Sequence, residues 1–95
     1  MSIVVKVRFN LIQVNEIGES REVVFPYEGR WFRMDWNKVL ERFKVLYVAM
    51  LKLQGLEVPE DLKEYERDTI DVSDIDIEID LNQCEEIPEM YPLGG

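Results

Sequence analysis

From Ile3 to Leu11 the odd positions are apolar (Ile3, Val5, Val7, Phe9, Leu11), while the even positions include Lys6, Arg8 and Asn10. A period of two is what a strand with one buried face requires, because successive side chains point to opposite sides. The pattern predicts one strand running on to Val14. Residues Asn15 to Ser20 supply turn chemistry around Gly18, and Arg21 to Phe25 reads as a second strand that Pro26 ends, since proline cannot donate to a ladder. The two strands predict a β-hairpin. Tyr27 to Met34 contains Gly29 and places Trp31 and Phe32 between Arg30 and Arg33, which reads as a connection anchored by its aromatics.

The spacing then changes to three and four. Trp36, Val39, Leu40, Phe43, Leu46, Tyr47, Met50 and Leu53 form the stripe of a core-facing helix over about residues 36–54. Asp35 is its predicted N-cap and Gly55 its left-handed C-terminal cap, with Leu56 folding back on the last turn. Residues 45–51 carry no charge, so the apolar surface there is wider than one stripe. It needs covering by another element or by a second subunit, and Val45, Val48 and Leu51 are the candidate dimer contacts. Residues 57–67 predict a short acidic helix after Pro59 that uses Leu62 and Tyr65. Strand periodicity returns from Asp74 to Leu81, with Ile75, Ile77, Ile79 and Leu81 on one face and Asp74, Asp76, Glu78 and Asp80 on the other. The expected fold is α+β: a small antiparallel or mixed sheet of three or four strands with the long helix packed on one face. Residues 1–81 form the single domain, and 82–95 an acidic tail containing proline and glycine.

Composition narrows the chemistry. Hydrophobic residues make up 46% of the chain and 4 Phe, 4 Tyr and 2 Trp are present, enough for one modest core despite the charge. The chain has no histidine and one cysteine, Cys84. An intramolecular disulfide, a thiolate or imidazole zinc site and His-based nucleophilic machinery are thereby excluded. Glu85 and Glu86 are expected to raise the Cys84 pKa and keep the thiol inert. The N-terminus lacks the apolar run of a signal peptide and no stretch is long enough to span a bilayer, so a cytoplasmic location is expected, with no membrane association.

Charge is split along the chain. Residues 1–55 hold 9 Lys and Arg against 6 Asp and Glu, whereas residues 56–95 hold 2 against 14; surpluses of three positive and twelve negative give the net −9. The four acids of the last strand project from one face about 6.6–6.8 Å apart. Such a row imitates a nucleic-acid backbone and attracts a basic protein. If the first strand lies alongside, Lys6 and Arg8 instead neutralise it. Asp74, Asp76, Glu78, Asp80 and Glu85 also match the spacing of a calcium loop, but Ile79 stands where the sharp turn requires glycine, so no metal is expected. Arg30, Trp31, Phe32, Arg33, Lys38, Arg42 and Lys44 form a basic, aromatic neighbourhood; the net charge argues against direct nucleic-acid binding and for internal pairing.

The leading expectation is therefore a non-enzymatic acidic binding protein, without cofactor, that engages a basic, nucleic-acid-binding partner through Asp74, Asp76, Glu78 and Asp80. Its size and charge resemble in composition the small inhibitors and accessory factors of viruses and mobile elements. A second expectation comes from the order hairpin, helix, later strand and terminal Gly94-Gly95, which resembles the ubiquitin-like β-grasp sulfur carriers and protein modifiers. That resemblance implies that Gly95 carries the carboxylate activated as an adenylate and that Gly94 is its flexible neighbour. The chain departs from the pattern in the long segment between Leu81 and the glycines and in the weak strand after the helix. A structural homodimer through Val45, Val48 and Leu51 is the third.

Overall fold

The computed structural model describes residues 3–67 and 75–88. The architecture is α+β, with two antiparallel sheets and one main helix. The first sheet is a ribbon of β1 (Val4–Arg8) and β5 (Asp76–Asp80). The second has the order β2-β3-β4-β6, formed by β2 (Gln13–Ile17), β3 (Ser20–Tyr27), β4 (Arg30–Asp35) and the short β6 (Glu85–Glu86).

The strand expected over Ile3–Val14 is two strands in different sheets. A 3₁₀ turn at Phe9–Leu11 separates them. Before it the odd residues Val5, Val7 and Phe9 are buried; after it Leu11 is 50% exposed and the even residues Ile12 and Val14 pack on the core. The turn shifts the chain by one residue, so the other parity faces inward.

The segment Tyr27–Met34, expected as a connection, holds the end of β3, a tight turn and most of β4. Glu28 and Gly29, at φ 51° and 76°, form a two-residue loop joining Tyr27 to Arg30. Two left-handed residues in succession give the turn whose twist matches a hairpin. Pro26 does not end β3, because the pairing of β2 with β3 stops at Gln13 opposite Val24. The sheet is narrower beyond that point, so a missing N–H is tolerated there.

The helix begins later than its apolar stripe. Asp35 caps a 3₁₀ turn at Trp36–Lys38, accepting from the Asn37 N–H at 2.7 Å, and Val39 and Leu40 are extended. Helix α1 then runs from Glu41 to Leu53. Its end is as expected: Gly55, at φ 73°, donates to the Lys52 carbonyl and Leu56 N–H to the Leu51 carbonyl at 2.9 Å, a Schellman arrangement. The break at Val39 and Leu40 buries Trp36 beside Phe43 and Tyr47 while leaving Leu40 55% exposed.

The second apolar side of α1 is covered from within the chain. A 3₁₀ helix at Glu60–Tyr65 carries Leu62, 1% exposed, into the core that contains Val48 and Val58. One core unites both sheets with α1 and this segment; Phe25, Phe43, Val23 and Val48 are its most enclosed members with Leu62.

Candidate partner-binding site

The sequence placed four carboxylates on one strand face, and the structure gives them different roles. Asp74 lies outside the described residues. Asp76 stands opposite Arg8 with an ion pair at 4.0 Å. Asp80 caps the following 3₁₀ turn, Leu81–Gln83, accepting from the Asn82 N–H at 2.9 Å. Glu78 stands opposite Lys6, and no ion pair joins it to another described residue. The ribbon therefore alternates opposite charges on its outer face, Arg8 with Asp76 and Lys6 with Glu78, so much of the expected acidic row is balanced internally. Asp76 and Arg8 are each about half exposed in their side chains, at 53% and 52%, so water screens their attraction.

The edge of β5 matters more than its face. The Phe9 N–H donates to the Ile75 carbonyl at 2.8 Å, and the Leu81 N–H to the Ile3 carbonyl at 2.9 Å. In this register Val7 with Ile77 and Val5 with Ile79 are consequently the hydrogen-bonded pairs. The main-chain groups of Asp76, Glu78 and Asp80 then point away from β1. The Asp80 carbonyl is met there by the Cys84 thiol, which donates to it at 3.6 Å. Among the described residues no strand pairs with β5 along this edge.

An apolar cleft of about 320 Å³ opens beside it. Val23, Met34, Val39, Phe43, Ile77 and Ile79 line its walls, with Lys38, Glu78, Asp80 and Gln83 among its polar groups. Ile77, Glu78, Ile79 and Asp80 are consecutive. Alternate strand residues point to opposite faces, so a cleft that touches all four meets the strand at its edge. No periodicity argument finds this cleft, because its walls come from β1, β3, β4, β5, α1 and the extended Val39-Leu40 link.

Arg30, Arg33 and Lys44 of the basic, aromatic neighbourhood are drawn into internal contacts. Arg30 and Arg33 pair with Glu86 and Glu85 at 3.4 and 3.0 Å, holding β6 to β4. Lys44 is 9% exposed, with its Nζ 5.4 Å from the Trp36 ring centroid and 5.6 Å from that of Tyr65. Arg21 also lies over Trp36 and donates twice to Asp61, fastening β3 to the 3₁₀ helix; its Nη2 meets Asp61 Oδ1 at 3.2 Å. That hydrogen bond holds the Asp61 carboxyl below its ordinary pKa. A carboxylate with a lowered folded-state pKa stabilises above its unfolded value and ceases to do so as pH falls through the folded one. The Asp61 carboxylate is 64% exposed, which limits the effect to at most about 1 kcal/mol. In urea titrations between pH 7 and pH 2.5, Asp61→Asn should lose less stability on acidification than the parent; equal acid sensitivity would count against the pair.

Cys84 has a raised pKa for a reason the sequence did not give. Burial first, and then the Asp80 charge, raise its pKa from 9.0 to about 11; Glu85 and Glu86 are not the cause. At pH 8 its reaction with a disulfide reagent should run roughly a hundredfold slower than that of an unperturbed cysteine, following the loss of thiolate. A rate equal to that of a free thiol would contradict this placement.

Of the expected dimer contacts, Val48 is 0% and Leu51 8% exposed within the single chain, and Val45 is half-buried. Gly94 and Gly95 lie outside the described residues. Among the described residues no three acidic or sulfur ligands converge on a point suited to a metal ion, and no helix is long and apolar enough to cross a membrane. Comparison with protein-family models, curated proteins and solved structures returned no match to this chain.

Proposed function

We propose that this chain is a non-enzymatic binding protein that engages a basic protein partner through the outer side of β5, in a cytoplasmic setting. Glu78 carries the reading: an exposed carboxylate without an ion pair among the described residues, at the lip of an apolar cleft and on a strand edge. Asp80 and Asp76 extend the negative surface on either side of it, and Asp74 precedes them in the chain. The net charge of −9 draws a basic surface at long range and repels nucleic-acid phosphates, which favours a protein partner. The ion pairs of Arg21, Arg30, Arg33, Lys52 and Lys63 support the same view, since they leave the excess of acids to solvent or to a partner.

Affinity capture by the immobilised chain, compared with a variant carrying Asp74→Asn, Asp76→Asn, Glu78→Gln and Asp80→Asn, tests the proposal. The parent should retain a basic protein at low salt and release it as the Debye length falls from about 10 Å near 0.1 M to about 3 Å near 1 M. The variant should fail to retain it while unfolding at an unchanged temperature. Equal retention by both would remove the reading.

A further inference from the structure

We infer that β5 receives the partner as an added strand: an extended segment of the basic protein, apolar and basic at alternating positions, pairs with the edge of β5 that no strand among the described residues covers. The inference rests on the proposed basic partner and specifies how it is held. Three independent features converge on this occupant. Asp76 and Glu78 present main-chain donors and acceptors away from β1, the hydrogen-bonding template that strand addition uses. The inner face of β5, Ile77 and Ile79, continues into the cleft walled by Val23, Met34, Val39 and Phe43. The outer face offers Asp76, Glu78 and Asp80.

Side chains directly opposite in neighbouring strands share a face. Inward residues of an added strand would therefore fill the cleft with apolar groups, and its outward residues would stand beside the β5 carboxylates. Only a period of two satisfies both sides at once. The edge closes at Asp80, where the Cys84 thiol occupies the carbonyl and the chain turns into Leu81–Gln83, so addition is confined to the stretch around Asp76 to Glu78. A block of lysines would satisfy the charge and leave the cleft empty.

The probe is the synthetic heptapeptide acetyl-Lys-Val-Lys-Phe-Lys-Val-Lys-amide, set against its isomer acetyl-Lys-Lys-Val-Phe-Val-Lys-Lys-amide, which has the same composition without the alternation. Both are titrated calorimetrically into the full chain, with amide shifts read by NMR. The alternating peptide should bind more tightly and shift the amides of Asp76 and Glu78. Glu78→Pro removes the charge and an N–H that β1 does not use, a change an edge strand tolerates. Glu78→Gln removes the charge alone. Glu78→Pro should therefore weaken the alternating peptide roughly three- to tenfold beyond Glu78→Gln, the worth of the one strand hydrogen bond whose donor is lost. Far-UV dichroism verifies that the proline variant folds; if it does not, the alternating peptide N-methylated at every second residue makes the same comparison against the parent chain.

Equal binding of the two isomers, with Glu78→Pro no worse than Glu78→Gln, would overturn strand addition and leave the basic-partner reading standing. Binding of neither peptide at low salt would overturn both.

Discussion

Phe43→Ala is expected to bring this domain close to unfolding at ambient temperature. Phe43 is 1% exposed, meets Phe9 edge-on at 5.3 Å and Trp36 at 6.2 Å, and stacks near Tyr47 at 6.3 Å. It joins the turn that ends β1 to the turn that precedes α1, and it also forms a wall of the cleft. Truncation of a buried phenylalanine costs about 3–5 kcal/mol, because the lost transfer energy is joined by a cavity that the surroundings fill only in part. A domain of this size has roughly 5–15 kcal/mol in total. At about 4–8 °C for each kcal/mol, the unfolding midpoint should fall by more than about 12 °C. Calorimetry reads this directly. A fall of only a few degrees would show that the existing cleft relaxes into the vacancy, and that the aromatic cluster is not the joint between the elements.

Leu62→Ala is expected to cost about 2–5 kcal/mol, the range for a buried leucine. Leu62 is the one fully buried residue of the 3₁₀ helix Glu60–Tyr65, which has few backbone bonds of its own to hold it in place. Removing the anchor should free the segment as a unit, because Arg21 to Asp61 is an exposed attachment worth little without it. The uncovered side of α1 would then include Val48 and Leu51. Concentration-dependent association in sedimentation experiments should accompany the lower stability of the variant. A loss below about 0.5 kcal/mol, the size of an ordinary surface substitution, would mean that α1 does not depend on this cover.

The two predictions draw on parts of the chain that the sequence revealed unequally. The α1 stripe predicted a buried Phe43, and Leu62 was a predicted contact of the acidic segment. That the segment supplies the missing cover of α1 was not legible, because periodicity tells that a surface must be buried but not against what. The exposed position of Leu53, at 72%, follows from the same gap, because the buried sector of the helix lies toward Val48 and Leu51, whereas Leu40, at 55%, stands before the helix in the extended link.

The strands that sequence reasoning missed or ran together have local causes. In β4, Phe32, Met34 and then Trp36 are buried while Arg33 and Asp35 are exposed, an alternation visible in the sequence but interrupted at its start by the Glu28-Gly29 loop. In β1 and β2 the change of parity between Phe9 and Ile12 marks the 3₁₀ turn, although Leu11 continues the earlier pattern and disguises it. The short β6 carries no pattern of its own. It is held by pairing with Phe32 and Arg33 and by the Ile87 N–H bond to the Trp31 carbonyl at 2.8 Å, which depend on β4 being in place.

The sequence by itself determined the class of fold, the helix cap at Gly55, the buried face of β5 and the excess of acid in the second half, because these depend on spacing and composition within short stretches. Only the tertiary structure decided what that acid does. Pairing β5 with β1 sets Arg8 against Asp76 and Lys6 against Glu78, while the hydrogen-bond phase of the same pairing turns the main chain of Asp76 and Glu78 outward. Neighbour and phase are properties of two strands about 70 residues apart in the chain. Neither is encoded in the alternation of either strand alone, since a period of two fixes which side chains share a face but not which edge stays open.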